Sequence, residues 1–297
     1  MGRNLFWRIV IKADIIAMVK NIRLPVKIIA GLLFMMCIAQ IEGQVSTDYT
    51  IDWQNKLLIV SASTPIETNT RNRPTAIPQA TRALENQMIS LLAQGILNVT
   101  IDSDQKLRDM EYASRILAQK IDDIYQLRKI NYSSFSEDLK SVQISYHFPL
   151  NASIVPIMQL QGYPRPVPRR LGWVPQANYS GIIIFADHQE ISGAMFPSVR
   201  TVDDLIVFDK SMVAREIILE DGMVLYHTNP SAPEVIERVG NFPLLIATAG
   251  HYGKIPSDII ITSRDAHRIL SQPSTRSALA SGKVVIILPE DRITDRY

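Results

Sequence analysis

The sequence predicts an α+β protein of two domains: a small helix-covered sheet domain, followed by a second, mainly β domain. Three observations predict it. Residues 80–127 contain two stretches whose apolar residues recur at three- and four-residue steps, the period of a half-buried helix. Residues 49–60 and 139–150 alternate or cluster apolar residues about short polar turns, the period of a strand. Beyond residue 177, strand-sized apolar runs repeat, bounded by Gly, Pro and Asp or Asn. A length of 297 residues suits two modest domains behind a targeting segment, and 46% hydrophobic with 20% charged residues excludes a disordered chain.

The first element is that targeting segment. Ile28–Ile38 reads IIAGLLFMMCI, an apolar run preceded by Arg23 and Lys27 and left through a polar, small-residue stretch. A basic region, a short apolar region and a polar exit describe a secretory signal over residues 1–43, and the run is short for a membrane span of about 20 residues. Met18 opens a normal n-region of its own, so the true start is expected at Met18; an uncleaved N-terminal membrane anchor is the alternative. The segment also carries the positive charge. Formal charge is +2, but residues 1–43 hold six Lys/Arg against two acids, leaving 25 basic and 27 acidic residues beyond them. A near-neutral mature chain has no electrostatic footprint for nucleic acid. The lone cysteine, Cys37, falls inside the segment, so the mature chain has neither disulfides nor thiolate metal sites.

Residues 45–155 form the expected α+β domain. Tyr49–Trp53 and Leu57–Val60 flank Asn55-Lys56 as a hairpin. Leu84, Met88, Leu91, Leu92 and Ile96 then mark an amphipathic helix from Ala80, with a break near Gly95 and a short strand at Val99–Ile101. A second helix is expected from about Met110 to Lys129, and Val142, Ile144, Tyr146 and Phe148 give a strand with one buried face. Residues 156–176 are a Pro-rich linker: Gln161–Arg170 reads QGYPRPVPRR, a stiff connector with solvated arginines. Residues 177–297 form the mainly β domain. Its organising strand is Ile182–Phe185, entered through Gly181 and left through a polar turn. Strands at 205–208, 223–226, 242–247, 259–261 and 284–288 follow, the last tying the chain down within the sheet. Helices are expected only at Ser231–Val239 and at Ser263–Leu270, the latter capped by Ser263.

The residues resemble a known group. The hairpin with Asp52-Trp53, the helix opening with Ala80 and Arg82, the segment Gly95–Ser103 (GILNVTIDS), and Asp138-Leu139-Lys140 before an alternating strand are similar to the FlgP-like and small outer-membrane lipoprotein-like bacterial envelope proteins, close to spirochaete relatives. Gly193–Val199 (GAMFPSV), Gly240–Ala247 (GNFPLLIA), Asp258–Ser263 (DIIITS) and Lys283–Leu288 (KVVIIL) extend the resemblance into the second domain. It departs at the strand exit, where relatives carry Asp-Ala-Arg-Gly and this chain has Ala186-Asp187-His188-Gln189. The resemblance implies an exported component or accessory of an outer-membrane or flagellar assembly.

Motifs for chemistry are lacking. None of the five histidines is spaced with another as a metal pair, and there is no Gly-x-Ser-x-Gly, no phosphate-binding glycine loop and no calcium loop. Asp122-Asp123 and Asp203-Asp204 read as solvated acids, because adjacent residues point in different directions. Asp187 and His188, at the exit of the organising strand, are the only candidate site positions, and a polar turn is the preferred reading of them. The expectation is a protein that is not an enzyme, takes no cofactor, and works in the periplasm or cell envelope through protein partners or self-association. The alternative is a periplasmic module binding a small molecule or peptidoglycan fragment between its domains.

Overall fold

Alternating burial turns the first domain into an antiparallel sheet, seen in a computed structural model that describes residues 45–66, 73–135, 140–160, 162–172, 177–186 and 189–297. The expected signal segment, Trp173 and the candidate pair Asp187 and His188 lie outside the described residues. β1 (Ser46–Asp52) and β2 (Leu57–Pro65) form the expected hairpin, paired from Ser46↔Ser63 to Asp52↔Leu57. Its turn is held by Asp52, whose carboxylate accepts from the backbone and side-chain amides of Asn55 at 2.9 and 2.8 Å. β3 (Ile130–Phe135) and β4 (Ser141–Pro149) extend the sheet beyond β2. Along β4, Val142, Ile144, Tyr146 and Phe148 are buried while the residues between them are not, as the period of two requires.

α1 (Arg73–Asn98) covers the sheet with Leu84, Met88, Leu91, Leu92 and Ile96, and α2 (Ala113–Gln126) adds Leu117 and Ile124. α1 begins earlier than Ala80 and does not break at Gly95. A Cβ there would sit 3.1 Å from two carbons of Leu58, so the glycine marks where helix and sheet approach most closely. Val99 and Ile101 are fully buried but form no strand in this sheet: Thr100 makes only an isolated bridge with Lys106. Their carbonyl neighbours are used instead by the second domain, with Met195 N–H donating to Thr100 O and Phe196 N–H to Ile101 O.

The second domain contains two four-stranded sheets. One is wholly parallel, in the order β8 (Leu225–His227), β12 (Val284–Ile287), β5 (Ile182–Phe185), β9 (Leu244–Ala247). The other runs β10 (Gly250–Tyr252), β11 (Asp258–Ile261), β6 (Val199–Thr201), β7 (Ile206–Phe208). The organising strand β5 is central, as expected, and β12 inserts beside it. Parallel pairing requires crossovers, which explains why short helices outnumber the expected two. α4 (Arg215–Asp221), α5 (Pro233–Val239), α6 (Ser263–Ser271) and α7 (Pro273–Ala280) provide them. Val235 and Val239 of α5 pack on Ile183, Leu225, Val285 and Ile287, which share one face of the parallel sheet. Gly181 is needed at the entry: a Cβ would lie 2.5–2.6 Å from Val239. The cap of α6 is Thr262 rather than Ser263; its hydroxyl accepts from Asp265 N–H at 3.1 Å.

The two domains are joined tightly. Leu150–Ile154, α3, leads directly into buried Val155, Ile157 and Met158. The linker is strapped to the second domain. Arg165 pairs with Asp209 at 3.1 Å and donates to Ser211 Oγ at 2.8 Å, and Arg170 N–H donates to Leu270 O. Residues 294–296 form a strand the sequence did not announce, β13 (Thr294–Arg296), which returns to the first domain and pairs antiparallel with β1. Trp53 sits at this joint, almost fully buried. Its indole N–H donates to Asp295 at 3.0 Å, its ring meets Tyr226 edge-on at 5.9 Å, and the glycine at 193 leaves room for it, since a Cβ would lie 2.4 Å from the indole.

Candidate functional site

The described polar residues singled out in the sequence resolve into structural contacts. Asp204 accepts from Arg200 at 2.8 Å, and Asp203 accepts from Ser263 Oγ at 3.3 Å, so the two neighbours serve different partners. Asp122 and Asp123 are exposed on α2. His227 Nδ1 accepts from Asn229 N–H at 2.8 Å and braces a turn. Among the described residues no group of three His, Cys, Asp or Glu has the arrangement of a metal site. At the exit of β5, Ala186 N–H donates to Ile287 O and Gln189 N–H donates to Ala186 O.

A buried carboxylate lies at the end of β6. Asp258, 2% exposed, accepts from Ser198 N–H at 2.8 Å and Ser198 Oγ at 2.5 Å, with Arg200 Nε at 3.6 Å. The Arg200 guanidinium also lies 4.8 Å from the centre of the Tyr252 ring. Every group here is paired, so the cluster fixes the β6–β11 pair rather than offering a reactive group.

Where the two domains meet there is almost no space. The void bounded by Trp53, Lys56, Leu150, Met195, Met223 and Tyr226 holds about 20 Å³, about the room one water occupies.

The large cavity, about 820 Å³, lies instead beside α6. Its lining combines the linker, the approach to β5, and α6 with its C-cap: Arg170, Tyr179, Ser263, Arg264, His267, Arg268 and Gln272. Three guanidinium groups therefore face one volume within the 300–1,000 Å³ range of small-molecule sites. Arg268 is fixed: it donates to Asp265 at 3.0 Å and to the Tyr179 hydroxyl, and the Tyr179 bond is the main reason its pKa is raised further. Tyr179 is braced in turn by Phe242, stacked at 5.4 Å and 9°. Gln272, buried, accepts from Ala177 N–H at 3.2 Å and holds the chain that carries Tyr179. Gly172 lets the linker pass against His267; a Cβ there would lie 2.3 Å from the imidazole. Sequence reasoning missed this site because Arg170 and Arg264 are 94 positions apart. The one available signal was the spacing of Arg264, His267 and Arg268 on a single helix, three and four residues apart.

Comparison with known families follows the same division of the chain. Residues 44–156 match the family described as Treponema pallidum Tp0624, N-terminal domain, and residues 181–291 match Treponema pallidum Tp0624, second domain. No curated protein matches the chain. The described helices include none long and apolar enough to cross a membrane. Both halves of the chain therefore match one spirochaete-related family, that of Treponema pallidum Tp0624, in its N-terminal and second domains.

Proposed function

We propose that this protein is an exported component of the cell envelope that works through protein–protein contacts, as a structural or assembly part of the kind the FlgP-like and outer-membrane lipoprotein-like resemblance implies. The apolar segment at residues 28–38 supports export, and the outer membrane or flagellum is the site the resemblance favours. The observation that carries the reading is the open side of β9. It is an edge strand of a parallel sheet, a sheet type normally covered, and Leu245 on it and Phe242 just before it are 54% and 59% exposed. An edge of this kind accepts an added strand from another chain.

The test is light scattering on size-exclusion of residues 44–297 over a wide concentration range, with in-cell cross-linking from position 245. The expected result is a concentration-dependent mass that Leu245→Lys abolishes, or a cross-link through residue 245. A constant monomer mass with no cross-linked neighbour overturns the reading. Export is checked separately: a reporter fused after residue 44 is expected outside the cytosol.

A second reading, a module that binds a small molecule or peptidoglycan fragment, is favoured by one specific observation, the 820 Å³ cavity beside α6.

A further inference from the structure

We propose that the cavity beside α6 is a binding site for a small molecule bearing at least two carboxylate or phosphate groups; the inference rests on the second reading above and names its ligand class. Four features argue for an anion, and for one larger than a single group.

The first is the cation count. Arg170, Arg264 and Arg268 line one space, and among the described lining residues none is acidic. The nearest carboxylates are already engaged: Asp265 with Arg268 and the Thr262 hydroxyl, Asp203 with Ser263. Arg170 and Arg264 have no acidic partner among the described residues, so two guanidinium forks remain to receive planar oxyanions in bidentate fashion. The second feature is the helix. α6 runs along the wall from Ser263 at its start to its C-cap Gln272, and it so brings Arg264 and Arg268, four residues apart on one helix, to the same space.

The third feature is rigidity. Arg268, Tyr179, Phe242 and Gln272 form a connected set of contacts, Gln272 through the backbone of Ala177, so the back of the site is shaped before any ligand arrives. The fourth is size. At about 820 Å³ the space exceeds what one phosphate or carboxylate fills, whereas a compound with two or more such groups on a carbon or sugar frame spans the distance between separate arginines. Tyr179 supplies an aromatic surface against which such a frame packs.

The shared chemistry has two sources, a free polycarboxylate or the stem peptide of a peptidoglycan fragment, and calorimetry separates them. Residues 44–297 are titrated with citrate, with a disaccharide-tripeptide muropeptide, and with the neutral disaccharide N,N′-diacetylchitobiose. Saturable, salt-sensitive binding of citrate or the muropeptide is expected, the tighter of the two identifying the source. Arg264→Gln and Arg170→Gln are each expected to weaken it by about tenfold or more. Arg169→Gln, an adjacent exposed arginine that does not line the cavity, leaves it unchanged. Thermal unfolding of each variant distinguishes lost binding from lost structure. Binding of the neutral disaccharide alone overturns the anionic class while preserving the second reading. Binding of none of the three overturns both. Anion binding that Arg264→Gln and Arg170→Gln leave unchanged places the ligand elsewhere and overturns the site.

Discussion

The antiparallel sheet of the first domain and the parallel sheet of the second solve the same burial problem in opposite ways. In β4 apolar residues alternate with polar ones, because one face packs on α1 and the other faces outward. In β12 all four residues are buried, and β5 is buried at its first three, because helices lie against the sheet and neighbouring strands flank both. The difference extends to closure. The parallel sheet is completed by residues of its own domain, whereas the antiparallel sheet takes its last strand, β13, from the end of the second domain's stretch of chain. The antiparallel half therefore depends on the parallel half for its position and its edge, and the dependence does not run equally the other way.

That asymmetry breaks first at Trp53. Trp53→Ala removes the indole that touches Asp295, Tyr226 and the backbone at Gly193, and it is expected to cost about 3–5 kcal/mol in denaturant unfolding. The loss is expected to split one unfolding transition into two, the first domain going first; a single, unshifted transition contradicts the joint described above.

A smaller effect is expected from removing residues 294–297. The lost contacts include the β1–β13 pairing, the Trp53 indole bond to Asp295, the Tyr49–Tyr297 stack at 5.1 Å and the Lys106 cation over the Tyr297 ring at 4.7 Å. Hydrogen exchange is expected to accelerate at Tyr49 and Ile51 of β1, whose N–H groups face β13, while Ile183 and Val285 keep their protection. Equal acceleration in both sheets contradicts the asymmetry.

The smallest effect lies at the hairpin turn. Half-buried Lys56, at φ 55°, donates to the Asp221 carbonyl at the end of α4, which Arg238 also caps at 3.2 Å. Burial, reinforced by the Arg238 charge and opposed by Asp221, lowers its pKa to about 8. The unfolded chain then binds the proton more tightly than the folded one. Stability attributable to Lys56 is therefore expected to rise between about pH 8 and pH 9.5, below the range in which the buried tyrosines ionise. Lys56→Met is expected to flatten that rise in parallel urea unfolding series; a slope unchanged by the substitution removes Lys56 as its source.

What was legible follows from the same contrast. The hairpin, the strand at 141–149, the organising strand and its neighbour at 284–287 were all readable, because burial leaves a period of two or an unbroken apolar run in the residues. β13 was not: Thr-Asp-Arg has no apolar signature, and its place is set by backbone pairing with β1 and by two aromatic neighbours. β3, with its Asn-Tyr-Ser-Ser core, was hidden for the same reason. Gly95 misled because a glycine within a helix signals a break unless something must come close, and Leu58 does. The basic cavity was invisible in another sense. Arg170 reads as a solvated linker residue and Arg264 as a surface helix residue until the linker is laid against α6 by the Arg170–Leu270 backbone bond. The candidate pair Asp187 and His188 lies outside the described residues.

The return of β13 also sets an order of events. β1 and its last partner are separated by about 240 positions, the Trp53–Asp295 contact spanning 242. During synthesis the hairpin emerges early with one edge bare, and it stays so until all of residues 177–291 have followed. Such long-range closure is slow, and a bare edge invites pairing with other nascent chains. The interval between the first and last strands is the period in which a chaperone that shields β1 matters most.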